Sequence, residues 1–183
     1  MRNALLVIIA GLFFTACNQS ATSTETGEDS TAAMDHSDSI VQYPYSIENP
    51  DTWQTGSKEN TRVALNALKA YENGNIDEAM NYFGDSVRLQ FDGLDETFSK
   101  DSVHAMFKDN RSKIKSMEVK MDDWESVISK DKEDEFVSLW YKECWEDAQG
   151  KKDSAYRMDD IRLRDGKIVG IDEKSRKFPA KKM

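Results

Sequence analysis

The chain has 183 residues, of which 38% are hydrophobic and 32% are charged, and its formal net charge is −9. This size allows one domain with a core of ordinary dimensions. The acidic balance, with no basic stripe before a short cluster at residues 174–182, argues against nucleic-acid binding. The only histidines are His36 and His104, so the sequence predicts no metal site and no cofactor.

The N-terminus has the pattern of an export signal. Arg2 supplies a positive charge, residues 4–14 are apolar, and small residues directly precede Cys17. An apolar run of this length is well short of the roughly 20 residues that a membrane-spanning helix needs. The pattern therefore predicts a signal peptide over residues 1–16.

The residues Phe14-Thr15-Ala16-Cys17 resemble the lipobox of bacterial lipoproteins. The resemblance implies cleavage before Cys17 and attachment of diacylglycerol to its sulfur, with palmitate-type acylation. We expect an exported protein that is anchored by lipid to the cell envelope, at the outer membrane rather than the inner one. The alternative is a secreted protein cut after Ala16, with an ordinary cysteine at its start.

The segment after Cys17 falls into two parts. Residues 17–42 are rich in Ser and Thr and hold few large apolar groups, which predicts a flexible tether. Residues 43–57 contain several aromatic side chains, including Trp53, and Pro44 and Pro50 keep them out of a helix. We expect this segment to lie extended against a domain formed by residues 58–183.

Two helices and a strand are predicted next. One helical face carries Ala64, Leu65, Leu68 and Tyr71, and Gly74 supplies the left-handed residue that closes the helix. A short second helix begins at Asn75 and is expected to end at Gly84. Alternating Val87, Leu89 and Phe91 then predict a strand that stops at Asp92-Gly93.

A third helix, capped by Ser99, precedes what reads as antiparallel sheet. Apolar residues alternate from Met117 to Met121, and the phase then shifts across Asp122-Asp123, which indicates a bulge. Further strands are expected over residues 136–146, 154–164 and 167–172. Asp165-Gly166 gives the strongest hairpin signal in the chain.

This order of elements resembles the nuclear transport factor 2-like superfamily, whose SnoaL-like members include ketosteroid isomerase. Residues 67–87 resemble its opening helix pair and first strand, and residues 160–169 resemble its last hairpin. The similarity covers roughly residues 58–173 and is greater still to Bacteroidota-type exported lipoproteins of the superfamily. It implies an α+β fold in which a cone-shaped, curved antiparallel sheet wraps around three N-terminal helices and leaves a mainly apolar cavity.

The resemblance also implies where chemistry would lie. Isomerase-like members use a carboxyl group just after the first strand as a base, with an acid on the penultimate strand and a first-helix tyrosine as hydrogen-bond donors. Asp159 falls at the second position, Asp92 lies one residue beyond the first, and Ala67 replaces the tyrosine. Asp92 and Asp159 are therefore catalytic candidates, and their structural alternatives are a turn former and a hydrogen-bonded acid.

Two functions are compatible with these observations. The preferred one is a lipid-anchored, non-catalytic module that binds a small apolar ligand or a protein partner, and that could form a homodimer through its sheet. The alternative is an envelope enzyme that uses carboxylate acid–base chemistry, as an isomerase, dehydratase or cyclase. The residues expected to line the cavity are Tyr71, Phe91, Phe107, Trp124, Trp140, Asp159 and Ile161.

Overall fold

A computed structural model describes residues 44–46 and 53–178. The predicted signal peptide, Cys17 and the predicted tether lie outside the described residues. The helices are α1 (Lys58–Glu72), α2 (Ile76–Ala79), which continues into a 3₁₀ turn at Met80–Tyr82, and α3 (Lys100–Ser112). The strands are β1 (Trp53–Thr55), β2 (Phe83–Phe91), β3 (Leu94–Ser99), β4 (Ile114–Ser129), β5 (Glu135–Asp147), β6 (Lys152–Arg164) and β7 (Lys167–Lys177).

The helix ends follow the local sequence. The side chain of Ser57 accepts a hydrogen bond from the Glu59 N–H at the start of α1. Gly74 follows α1 with φ +80°, a conformation that costs glycine little. Ser99 caps α3 by accepting from the Ser102 N–H at 3.2 Å. The predicted caps at Gly74 and Ser99 are confirmed.

The seven strands form one sheet in the order β1-β4-β5-β6-β7-β2-β3. The expectation of a purely antiparallel sheet is wrong at one place, because β2 pairs in parallel with β7. Strand β3 was not predicted, and it forms a hairpin with β2 through the turn at Asp92-Gly93. Gly84 does not end a helix. It lies inside β2, which already begins at Phe83 opposite Ile168.

The predicted bulge in β4 is confirmed. The register between β4 and β5 shifts between Met121 and Asp123, which brings Trp124 opposite Leu139. At the far end of β4, the short strand β1 pairs with Val127–Ser129. The Trp53 ring packs edge-on against Phe136 with centroids 5.8 Å apart, and its side chain is half exposed.

The core lies between the helices and one face of the sheet. Its largest side chains with no exposed surface come from β2, α3 and β5: Val87, Leu89, Val103, Val137 and Leu139. Full burial of such a side chain contributes about 1.5–3 kcal/mol. The helices therefore hold the inner face of the sheet in place. None of the helices described is long and apolar enough to cross a membrane.

Candidate functional site

A cavity of about 600 Å³ lies beside this core, between α1, α3 and the inner face of the sheet. Most of its wall is apolar. Its side chains from the helices and β2 include Ala64, Ala67, Leu68, Tyr71, Phe83, Phe91, Met106 and Phe107, and those from β4 to β7 include Met117, Val119, Tyr141, Trp145, Ile161 and Ile171. A small organic molecule is the kind of ligand that a cavity of this size and lining accommodates.

Five of the seven residues expected at the cavity wall lie there: Tyr71, Phe91, Phe107, Asp159 and Ile161. The structure places the other two elsewhere. Trp140 points away from the cavity, because it alternates with the buried residues Leu139 and Tyr141 along β5. Trp124 is 50% exposed, since β4 is an edge strand there and β1 pairs only with its last residues.

Aromatic rings form the helical side of the cavity. Tyr71 on α1 and Phe107 on α3 meet edge to face at 5.5 Å, and Phe83 meets Phe107 at 5.7 Å. Arg111 fixes this corner by donating to the Tyr71 carbonyl oxygen at 3.1 Å and to the Glu72 carbonyl oxygen at 3.0 Å. The end of α1 is thereby tied to α3, and the two rings are held in a defined arrangement.

The sheet side of the cavity carries a cluster of charged side chains. Arg157 on β6 donates to Glu143 on β5 at 2.9 Å and also to Glu173 on β7. All three side chains are less than a quarter exposed. Charged groups held away from water need such partners. Arg157 therefore joins three neighbouring strands through their inner faces.

Asp159 lies directly beside this cluster. It is opposite Glu173 in the pairing of β6 with β7, and its side chain is 6% exposed. The Tyr141 hydroxyl donates to its Oδ2 at 2.8 Å. Its Oδ1 is buried and has no hydrogen-bond partner among the residues described. A buried oxygen without a partner is costly, and a donor group of a ligand that reached it would offset that cost.

The surroundings of Asp159 favour its protonated form. Burial, followed by the negative charge of Glu173, raises the pKa of Asp159 to about 7, despite the opposing hydrogen bond from Tyr141. Burial also raises the pKa of Glu173, and burial and the nearby Asp159 raise the pKa of Tyr141 well above its usual value. Asp159 can therefore accept or release a proton near neutral pH.

The two other positions implied by the resemblance differ from Asp159. Asp92 is exposed in the turn between β2 and β3, and it lies at the cavity wall. Ala67 also lines the cavity, with a methyl group where isomerase-like members are expected to carry a tyrosine. The hydroxyl next to Asp159 comes instead from Tyr141, on the neighbouring strand.

Sequence reasoning missed Tyr141, Glu143, Arg157 and Glu173. Alternation along β6 from Ile161 through Asp159 leads to Arg157, so that signal was present. Glu173 was not accessible in the same way. The predicted last strand ended at residue 172, and a register shift between Arg162 and Leu163 changes which residues of β7 face inward. Among the residues described, no group of three or more His, Cys, Asp or Glu side chains is placed to hold a metal ion.

No protein-family model matches the chain, and neither does any curated protein. Solved structures do. AusH from Aspergillus nidulans is 15% identical with a TM-score of 0.54, over 66% of this chain and 86% of that one. An M. tuberculosis LEH-like epoxide hydrolase is 15% identical with a TM-score of 0.53, over 66% of this chain and 84% of that one.

An NTF2-like protein of unknown function from Exiguobacterium sp. 255-15 is also 15% identical, with a TM-score of 0.53 over 62% of this chain and 98% of that one. The chain has the NTF2-like fold. The expected α+β architecture of three helices and a curved sheet is confirmed, with a mixed and open sheet. At this level of identity the similarity establishes fold and not activity.

The protonation of Asp159 predicts a pH-dependent stability. Between the unfolded value of 3.8 and about 7, the unfolded chain releases the proton while the folded chain retains it. The free energy of unfolding should therefore fall as the pH rises through this window. Asp159→Asn, which cannot ionise, should gain stability relative to the native chain by up to about 4 kcal/mol from pH 4 to pH 8.

Urea unfolding at several pH values measures this difference. Asp160→Asn is the matched control, because Asp160 lies on the outer face and accepts a hydrogen bond from Lys174 at 2.8 Å. A stability difference between Asp159→Asn and the native chain that stays constant across the window would contradict the assigned environment.

Proposed function

We propose that this domain binds a small, mainly apolar molecule as a non-catalytic module of a lipid-anchored envelope protein. The observation that carries the proposal is the cavity, which is lined mainly by aromatic and aliphatic side chains and has most of its polar groups on the sheet side. Such a division orients a ligand, because its apolar body gains from burial while one polar group finds a partner.

Specific contacts hold the aromatic side chains of the cavity wall in place, and this order supports ligand binding. The rings of Tyr71 and Phe107 contact each other, and Arg111 holds the segment that carries Tyr71. A wall that is ordered before the ligand arrives loses little side-chain entropy on binding. The cavity is thus suited to hold a ligand without a large rearrangement.

The location is part of the same proposal. The apolar run before Cys17 and the lipobox-like residues support export and lipid attachment, and the Ser- and Thr-rich residues that follow support a tether between membrane and domain. A tethered binding domain would keep its cavity in the aqueous phase near the membrane surface. It would there meet apolar molecules that partition between the two.

Binding can be tested with the neutral fluorescent probe prodan. We expect saturable one-to-one binding to the folded domain with a micromolar dissociation constant and a blue-shifted emission, because the probe moves from water to an apolar wall. Met117→Trp should weaken binding at least tenfold, since Met117 lines the cavity and an indole ring would occupy its space.

The matched control is Met158→Trp on the opposite face of the sheet. Met158 pairs with Trp140 on the side of the sheet that points away from the cavity. Its substitution should leave prodan affinity within about twofold. Equal binding by both variants and the native domain would show that the probe binds elsewhere, and would refute a ligand site in this cavity.

A second function, acid–base catalysis, is favoured by one observation. Asp159 and Glu173 lie opposite each other, and the pKa of Asp159 is near 7 because of burial and of Glu173. A protonated acid beside an ionised one can supply both roles of acid–base chemistry. The LEH-like neighbour is named as an epoxide hydrolase, so epoxide opening is a reaction to test.

Turnover separates the two functions. If the domain only binds its ligand, it should convert styrene oxide and cyclohex-3-enone no faster than buffer alone does. Chromatography measures this conversion. The isomerase-like arrangement is incomplete, because Asp92 is exposed and because Ala67 stands at the position of the tyrosine. Robust turnover that is lost in both Asp159→Asn and Glu173→Gln, but kept in Asp160→Asn, would establish the enzyme instead.

The anchor has its own test. Cys17→Ser should abolish lipid labelling and release the protein from the membrane fraction, because the acyl chains supply its hydrophobic attachment. Cys144→Ser is the control and should remain membrane-bound and labelled. Fractionation of unlabelled Cys17→Ser with membranes would refute lipid anchoring through this residue.

A further inference from the structure

The charges on the cavity wall have a marked imbalance. Four acidic residues line it, and Arg157 is the basic residue among the lining side chains described. The acids are Asp92, Glu143, Asp159 and Glu173. An anionic ligand would therefore meet a cavity wall whose net charge is also negative, and this repulsion opposes its binding.

The positive charge of Arg157 is already shared between two acidic neighbours. Its guanidinium already donates to Glu143 and to Glu173, one on each neighbouring strand. A ligand carboxylate or phosphate would add a further negative charge beside two glutamates that already outnumber this one guanidinium. The cluster thus carries a surplus of negative charge.

Asp159 provides the acceptor that is available. Its Oδ2 takes the hydrogen bond from Tyr141, whereas the buried Oδ1 has no partner among the residues described. Aromatic side chains surround the rest of the cavity, including Tyr71, Phe91, Phe107 and Trp145. Their rings offer the apolar surface on which the body of a ligand can pack.

We propose that the ligand of this cavity is an apolar or aromatic molecule with a protonated amine, whose N–H group donates to Asp159 Oδ1. The inference rests on the proposed binding function and specifies the chemical class of the ligand. The apolar body lies against α1 and α3, and the ammonium group lies at the sheet, where Asp159 and the surplus negative charge of the cluster stabilise it.

This assignment makes binding depend on pH. Four titratable or charged groups face Asp159: Tyr141 and Glu143 on β5, Arg157 on its own strand and Glu173 on β7. Two further titratable groups line the same cavity, Tyr71 on α1 and Asp92 in the β2–β3 turn. Because burial and Glu173 raise the pKa of Asp159 to about 7, the acceptor is largely protonated at pH 6 and ionised at pH 8. An amine should therefore bind more tightly at pH 8.

The test compares three probes with one apolar body: 4-phenylbutan-1-amine, 4-phenylbutan-1-ol and 4-phenylbutanoate. Isothermal titration calorimetry at pH 8 should give an affinity for the amine at least tenfold above that for the alcohol, with the carboxylate weakest. Between pH 6 and pH 8 the affinity for the amine should rise about fivefold or more, whereas the affinity for the alcohol should change less than twofold.

Asp159→Asn should remove the preference for the amine, with at least a tenfold loss of its affinity at pH 8 and an affinity for the alcohol within about threefold of the native value. Asp160→Asn, on the outer face, should leave all three affinities unchanged. If Asp159→Asn does not fold, the pH dependence of the native chain still decides the matter.

The outcomes distinguish the two proposals. Binding of the alcohol or the carboxylate as tightly as the amine would overturn the ligand class and leave the binding function standing. A preference for the amine that does not change from pH 6 to pH 8, or that survives Asp159→Asn, would overturn the role of Asp159. Binding of none of the three probes would overturn both proposals.

Discussion

The cavity wall depends on the ion cluster around Arg157. Its guanidinium bonds Glu143 and Glu173 on the strands to either side, and so holds two carboxylates in a mainly apolar wall. Removing an ion from water costs several kcal/mol, which a hydrogen-bonded partner offsets. One arginine does not balance three acids, however. Burial and the neighbouring charge of Glu173 favour the neutral form of Asp159 and so raise its pKa.

Much of the fold could be predicted where a local signal determines the structure. The alternation in β4 and its phase shift located a bulge, and Asp165-Gly166 located a hairpin whose two turn residues have φ of 52° and 69°. The pairing of β2 with β7 could not be predicted from local signals, because the sequence of a strand does not identify a partner strand that is distant along the chain. Strand β3 was missed for a related reason, since its residues are mostly exposed and show no clear apolar alternation.

The candidate site could be predicted only in part. Alternation along β6 gave Asp159 and Ile161 their shared face, and both line the cavity. The same rule, applied to β5, would have placed Trp140 on the outer face, but apolar residues on both sides of that strand obscured which side was inward. Glu173 needed the register between β6 and β7, which a shift beside Leu163 alters. A single sequence does not contain that register.

The fold alone does not determine the chemistry, because the position of one hydroxyl group changes what the cavity can hold. With Ala67 on α1, the helical side offers a methyl group and aromatic rings, and the hydroxyl that bonds Asp159 comes from Tyr141 on the sheet. The polar groups are thereby gathered on β5, β6 and β7, and the helices present mainly apolar surface. A molecule bound as we propose would turn its polar end to the sheet, where most of the polar groups lie. Selectivity for such a molecule would then follow from the charges on three adjacent strands.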